Sequence, residues 1–301
     1  MANTFLSSQR IAATALGLLQ REIVLPRLVW SYGAADFRGA KDDTITLRVP
    51  AVLTARDYGM RNNRSSAIVM DDLTELGVDV TLTSQPYSAV AITDEQLTLD
   101  IADFAVQVLS PQIRAVAEKL EDTIVAALAD ADVPAGSEVD WDPADPLGSI
   151  LDARKVLNDN NVPMAGRALV LGSALERDVL GVDNLIRVDA SGSDSALRDA
   201  TIGRLAGFTV VTSNAIDADV GYAFHQTAIA FANVAPVVPD GATMGESRTY
   251  QGLSMRWIRD YDPTHLQDRS VVSCFAGASS VTDADPDTPV NMRLVKLGGG
   301  S

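Results

Sequence analysis

The spacing of hydrophobic positions changes several times along the chain, and each change marks a different element. Residues 7–24 carry Ile11, Ala15, Leu18 and Leu19 at helical spacing, which predicts an amphipathic N-terminal helix. Pro26 ends or bends it, because proline lacks the amide hydrogen that a helix interior needs. Leu28, Val29, Trp30 and Tyr32 follow as an apolar segment of the kind that docks on its own domain or on a neighbour. From residue 44 to 92 the period is two. Ile45, Leu47 and Val49 alternate with Thr44, Thr46 and Arg48. Leu76, Val78, Val80 and Leu82 alternate with Gly77, Asp79 and Thr81, and Val90 and Ile92 continue the pattern. These runs predict strands. Residues 56–66, RDYGMRNNRSS, are polar and turn-rich. The expected object is a long two-stranded arm with a polar tip. Isolated ribbons are marginal in water, so the arm folds back on its own domain or lies on another subunit.

Residues 98–131 return to a helical period. Ile101, Phe104, Ala105, Val108 and Leu109 share one face, followed by Ile113, Val116, Leu120, Ile124 and Leu128. Arg114 and Glu118 are spaced for an i,i+4 ion pair. Pro111 predicts a kink, or a restart with Ser110 as N-cap. One continuous helix of this length would span roughly 50 Å. Residues 132–146 are rich in Pro, Gly and Asp and form the best candidate domain boundary. Beyond it the pattern predicts a helix over 147–157, closed by 158–161 and Pro163, and a short buried strand over Arg167–Leu171. Ser173 and Glu176 have capping-box spacing for a helix over 174–180, with Gly181 as C-cap. A flexible loop is expected at 191–195 and a strand at Phe208–Thr212. Leu253, Met255 and Trp257 alternate with Ser254, Arg256 and Ile258; further strands are expected at 270–275 and 290–297. The closing residues 298–301, GGGS, read as a linker-like tail outside the fold.

Composition narrows the function. At about 150 residues per domain, 301 residues suggest two domains. Apolar residues at 47% and charged residues at 21% fit a chain with a real core, not a disordered one. A net charge of −16 argues against a dedicated DNA-binding surface, and 5% aromatics argue against a stacking platform for single strands. Cys274 is the single cysteine, which excludes an internal disulfide and a cysteine-cluster metal site. It lies in an apolar strand and reads as an inert thiol. The two histidines, His225 and His265, read as a core-edge residue and a surface-turn residue. No GxSxG elbow, P-loop or GxGxxG occurs. Asp283, Asp285 and Asp287 lack the sixth-position glycine of a calcium loop, where Thr288 stands, and read as a solvated loop. No apolar run reaches about 18 residues, so no membrane-spanning helix is expected. The apolar stretch near the N-terminus is short and has no small-residue cleavage site, so it reads as an arm, not a signal peptide.

The charge is unevenly placed. Residues 44–70 hold Arg48, Arg56, Arg61 and Arg64 against Asp57, a net of +3 that leaves −19 on the rest. A basic arm on an acidic body suits head-to-tail contacts between copies. A basic loop that is merely solvated fits the same residues. On the first reading Arg56, Arg61, Arg64, Trp30 and Tyr32 are the candidate intersubunit contacts.

The order of these parts resembles the tailed-phage major capsid protein of the Hong Kong 97-type fold. The stretches that carry the resemblance are residues 97–128, LTLDIADFAVQVLSPQIRAVAEKLEDTIVAAL; 153–171, ARKVLNDNNVPMAGRALVL; 203–214, GRLAGFTVVTSN; 221–232, GYAFHQTAIAFA; and 259–268, RDYDPTHLQD. The resemblance runs from about Asn3 to Leu297. It implies an α+β fold with an N-terminal arm, an extended β-hairpin loop, a long spine helix, and peripheral and axial domains. The parts would be an arm at 1–43, a β-arm at 44–96, and a peripheral domain with the spine at 97–146. An axial domain at 147–249 and returning peripheral strands at 250–297 would follow.

The implied function is a shell subunit, with no cofactor and no enzymatic activity. Copies would close through hexamers and pentamers into an icosahedral head around double-stranded DNA, without sequence-specific binding and without a membrane. A separate scaffolding protein and a portal are the implied partners, and a decoration protein is compatible with the shell. The location is the virion, after assembly in the host cytoplasm. The tip has no lysine, so covalent cross-linking through the arm is not expected. An encapsulin-type bacterial compartment has the same fold and is the alternative. A two-domain α/β enzyme would need a catalytic constellation that the sequence lacks, and a phage tail protein of another fold would form rods or rings.

Overall fold

The computed structural model describes residues 23–33, 37, 43–49, 55–61, 64–70, 76–101, 103–182, 203–250, 253–283 and 290–298. The predicted helix over 7–24 falls outside them except for its last two residues, as do the loop at 191–195, Asp285, Asp287 and the last three residues.

A 3-10 turn at Leu25–Arg27 leads into β1 (Trp30–Tyr32), then β2 (Thr44–Val49), β3 (Leu76–Thr81) and β4 (Tyr87–Thr93). After α1 (Ser110–Ala129) come β5 (Glu138–Asp140), α2 (Pro146–Asp159), β6 (Arg167–Leu171) and α3 (Ser173–Leu180). The chain continues through β7 (Arg204–Leu205), β8 (Phe208–Thr212), β9 (Val220–His225), β10 (Ile229–Val234) and β11 (Met244–Tyr250). It closes with β12 (Leu253–Asp262), β13 (Gln267–Ser273), β14 (Phe275–Ser280) and β15 (Leu294–Gly298). The strands form a six-stranded sheet in the order β5-β15-β9-β6-β8-β7, a four-stranded sheet β11-β12-β13-β4, a three-stranded sheet β1-β10-β14, and the ribbon β2-β3.

β6 explains how the sheets and helices stack. Its sequence RALVL is buried at every position, as a strand covered on both faces must be. Side chains alternate across the sheet. Ala168 and Val170 join Tyr222, Phe224 and Leu294 against Val116, Leu120, Ile124 and Leu128 of α1. Leu169 and Leu171 join Ala223, Val295 and Leu297 against Ile150, Ala153 and Leu157 of α2 and Leu175 and Val179 of α3. The first of these cores continues through Phe231, Leu253, Met255, Val272 and Ala276, so it ties the six-stranded sheet to the other two. Gln112 of α1 is buried and clamps the helix to the four-stranded sheet. Its Nε2 donates to the carbonyls of Ser88 and Ser270, and its Oε1 accepts from the Ser270 hydroxyl.

Several expectations need correction. Residues 98–131 are not one helix. Two π-helical turns, Gln96–Asp100 and Ala105–Leu109, flank an extended Ile101 (φ −93°, ψ 109°), and only the 20 residues of α1 are α-helical, about 30 Å long. Asp103 interrupts the helix: its Oδ1 accepts from the backbone amides of Ala105 and Val106. Pro111 then sits at the start of α1, where no amide donor is required. The wider turn before it relieves the clash of its ring with the carbonyl four residues back. Ser110 has helical dihedrals and makes no side-chain cap.

The Ser173–Glu176 capping box does not form; Gly172 is the N-cap of α3. The Ala174 amide instead donates to the carbonyl of Ala218, and a Cβ at position 172 would lie 2.4 Å from that oxygen. β4 pairs with β13 and so belongs to the four-stranded sheet, not the arm. The Pro/Gly-rich stretch at 132–146 contributes β5, which pairs with β15. The last strand begins at Leu294 and includes Gly298, whose carbonyl accepts from the Trp141 amide. The run at 270–275 is divided at Cys274 between β13 and β14.

Candidate assembly surfaces

The arm is fixed at its base and exposed at its tip. β2 and β3 pair antiparallel from Thr44↔Thr81 to Val49↔Leu76, as the period-two pattern predicts. The hydroxyls of Thr44 and Thr81 lie 2.8 Å apart, and Thr46 Oγ1 donates to Asp79 Oδ1. Val78 and Val80 are buried against Ala230, Ala232 and Val281, with Tyr32, Phe37, Ile45, Leu47 and Leu82 packed around them. Gly277 of β14 permits this contact, since a Cβ there would meet the Thr81 carbonyl oxygen at 1.9 Å.

Beyond the ribbon, Arg56, Arg61 and Arg64 are all exposed. The Arg64 guanidinium lies 5.0 Å from the centroid of the Tyr58 ring, whose hydroxyl donates to the carbonyl of Ser66. The arginines share the tip with Met60, 92% exposed, and with Ile68, Val69 and Met70, the last 82% exposed. The tip thus carries exposed apolar side chains as well as basic ones. Reading the sequence for polar turn residues alone stops at Ser66. The apolar run Ala67-Ile68-Val69-Met70 directly after it is the signal that finds the rest.

Trp30 and Tyr32 sit on a different element. β1 pairs in parallel with β10, the two rings are 5.7 Å apart, and Trp30 is half exposed at the sheet edge while Tyr32 packs at the arm's base. The segment before them is latched to the spine: the Glu121 carboxylate, buried on α1, accepts from the amides of Val24 and Leu25. The five candidate residues thus divide between an arm tip and an arm root.

The chemically versatile side chains have structural partners. Asp283 holds Arg293 through both carboxylate oxygens. The Cys274 thiol is buried and pushed up to about 12 by desolvation. His265 is exposed on the β12–β13 turn, with Nδ1 2.8 Å from Asp262 Oδ2. Among the described residues, no group of His, Cys, Asp and Glu is arranged to hold a metal, and no helix is long and apolar enough to cross a membrane.

His225 is buried, and Thr227 donates its amide to Nδ1. The Thr227 hydroxyl accepts from Arg293 and lies 2.8 Å from the same nitrogen, so the ring proton sits on Nε2. Burial holds the imidazole below its ordinary pKa, helped by the nearby Arg293 and Arg167. A histidine depressed in the folded state binds fewer protons there than when unfolded. Its contribution to stability is complete above about pH 6.5 and is lost as the pH falls toward the folded pKa. Urea midpoints measured from pH 7.5 to 5 are expected to fall in the wild type and to fall less in His225→Gln. Equal slopes would remove His225 from the acid response.

Comparison with known proteins bears on what these surfaces build. The model of a family described as phage capsid protein matches residues 78–273, more than half of the chain. No curated protein matches. Among solved structures, the chain is similar to one from Mycobacterium phage Che8, with 21% identity, 93% of each chain covered and a TM-score of 0.67. It is also similar to the capsid of cyanophage P-SCSP1u, with 12% identity, 97% of this chain and 93% of that chain covered, and a TM-score of 0.70. The capsid of a native GTA particle matches at 10% identity, over 97% of this chain and 98% of that chain, with a TM-score of 0.60. At these identities the structures speak for the fold, which is the Hong Kong 97-like one. The family match decides between a phage head and an encapsulin-type compartment. The chain belongs to the phage capsid protein family and is a major capsid protein, a subunit of the head shell.

Proposed function

We propose that copies of this chain form the hexamers and pentamers of an icosahedral head in the host cytoplasm, and that each arm lies on a neighbour in the same capsomer. The observation that carries this reading is the arm itself. Its base is locked to the body by Val78 and Val80, while its tip holds Arg56, Arg61 and Arg64 beside four exposed apolar side chains. Trp30 and Tyr32 extend the contact at the arm's root. Residues 147–249 form the axial lobe at the capsomer centre, and 97–146 with 250–297 form the peripheral lobe. The subunit's role is structural, without catalysis.

The shell encloses double-stranded DNA without reading its sequence. An acidic body serves that task, because a basic lining would hold the packed DNA by counterion release. A separate scaffolding protein guides closure, a portal completes the particle, and the shell is compatible with a decoration protein. Negative-stain microscopy of the expressed chain, with and without co-expressed scaffolding protein, tests this. Closed icosahedral particles are expected, whereas rods, rings or a purely monomeric sedimentation profile would overturn it. The arm tip from 55 to 70 contains no lysine, so denaturing gels of mature particles should show a single subunit band. High-mass ladders would show covalent chemistry between subunits.

A further inference from the structure

Methionine is ordinarily a core residue, where its flexible thioether fills gaps. At the arm tip that preference is inverted. Met60 is 92% exposed and Met70 82% exposed, and both stand among the tip arginines. Met164 and Met244 are exposed on the body, whereas Met255 is buried in the core. Met60 directly precedes Arg61, and Met70 closes the run Ala67-Ile68-Val69-Met70. Nothing in the subunit shields the two thioethers. Residues 55–61 and 64–70 contain no helix or strand, and all of them except Tyr58 are exposed. The competing sulfur is out of reach: Cys274 is buried, and desolvation keeps its thiol protonated, so it offers no accessible thiolate to an oxidant.

We infer that Met60 and Met70 form a paired oxidation site, and that their conversion to sulfoxides decides whether a free subunit can join a shell. The oxidant class is a hydroperoxide, of which hydrogen peroxide is the simplest. A thioether lone pair attacks the outer peroxide oxygen, and an S–O bond forms as the O–O bond breaks. The hydroxyl proton passes to the departing hydroxide, which leaves as water. Sulfur gives up two electrons and the peroxide takes them. The product is polar where the parent was apolar, so the tip keeps its arginines but loses two of the four exposed apolar side chains beside them. The inference rests on the reading that the arm tip binds a neighbour: a free tip is open to the oxidant, and a tip covered by a second copy is not. Methionine sulfoxide reductases reverse the change, so assembly follows the reducing state of the surrounding solution.

Unassembled subunits are treated with hydrogen peroxide, their sulfoxides are located by peptide mass spectrometry, and assembly is then started. Met60 and Met70 are expected to oxidise about tenfold faster than the buried Met255, with particle yield falling by about the same factor in step with them. Incubation with both epimer-specific reductases is expected to restore the yield. Subunits that carry both sulfoxides yet assemble at the untreated yield would overturn the assignment. A Met164→Leu, Met244→Leu chain removes the exposed thioethers of the body, and peroxide is expected to block its assembly as it does for the wild type. Undiminished assembly of that chain after peroxide would also overturn the assignment, because the sensitive sulfur would then lie on the body.

Two further measurements separate this site from the arm contact. Met60→Gln with Met70→Gln makes the same positions polar without an oxidant and is expected to lower particle yield about tenfold. A normal yield from that chain would overturn the proposal. Closed shells given the same peroxide are expected to form sulfoxides at Met60 and Met70 about tenfold more slowly than free subunits. If both positions oxidise as fast in closed shells as in free subunits, the tip is uncovered, and the arm contact falls together with the proposal. If shells protect them but oxidised subunits assemble normally, the arm contact stands and the oxidation site alone falls.

Discussion

Arg56→Glu, Arg61→Glu and Arg64→Glu combined in one chain give a folded subunit that no longer assembles. The three side chains are exposed, and exposed substitutions ordinarily change stability by no more than about 0.5 kcal/mol each. Loss of the Arg64 stack on Tyr58 adds about 0.5–1 kcal/mol. The fold therefore survives. The arm, however, goes from a net of +3 to −3 and meets a body that carries −19. Like-charge juxtaposition across an interface costs several kcal/mol and removes the steering that brings partners together. A shell built on the proposed arm contact would repeat it at every subunit, so even a modest loss per contact would prevent closure. Circular dichroism and urea midpoints near those of the wild type, together with slow-sedimenting subunits and no particles by microscopy, are the expected observations. Particles in normal yield would reduce the tip to a solvated loop. Assembly of the wild type should also slow as salt rises, because the Debye length shrinks from about 10 Å at 0.1 M to about 3 Å at 1 M.

Gly277→Ala is expected to be among the most damaging single substitutions in the chain. A Cβ there would lie 1.9 Å from the Thr81 carbonyl oxygen, 2.9 Å from its carbon and 3.2 Å from Leu82 Cα. All three are backbone atoms, so no side chain can swing aside. Either the arm base lifts from β14, exposing Val80 and Ala232, or β14 bends into the core that holds Cys274 and Ala276. Overpacking of this kind costs about 1–3 kcal/mol and occasionally more, and the upper end applies where backbone must move. Gly241→Ala is the control, since nothing lies within 4 Å of a Cβ there. The predicted signature is a lower urea midpoint with faster proteolytic cleavage in the arm, against no change in the control. A midpoint shift equivalent to less than 0.5 kcal/mol, on the scale of a surface substitution, would rule out the close approach.

The elements most legible in the sequence are those whose determinants lie within a few residues. The alternation of Ile45, Leu47 and Val78, Val80 places the ribbon in register, and the apolar run of β6 marks a strand buried on both faces. The i,i+4 pair Arg114–Glu118 forms as its spacing predicts. Misreadings occur where a distant partner decides. β4 resembles the ribbon beside it in sequence, yet its partner β13 lies far along the chain. The start of α3 is satisfied by the carbonyl of Ala218, which no capping pattern near Ser173 reveals. The break before α1 is local but ambiguous, because apolar spacing over five residues does not separate an α-turn from a π-turn. Of the candidate surface, the arginines are readable from charge alone. Leu99 and Val106 resemble core positions in sequence, yet the π-turns that carry them leave both exposed.

β10 is a party wall. Ala230 and Ala232 face the root of the arm, while Ile229 and Phe231, which alternate with them, face the core that contains α1. On the proposed contact, a pull on the arm by the next copy would bear on the same strand that supports Phe231, and through that core on the spine. In a closed head built on that contact, strain at one capsomer contact would be shared by the body of the subunit instead of being confined to the arm.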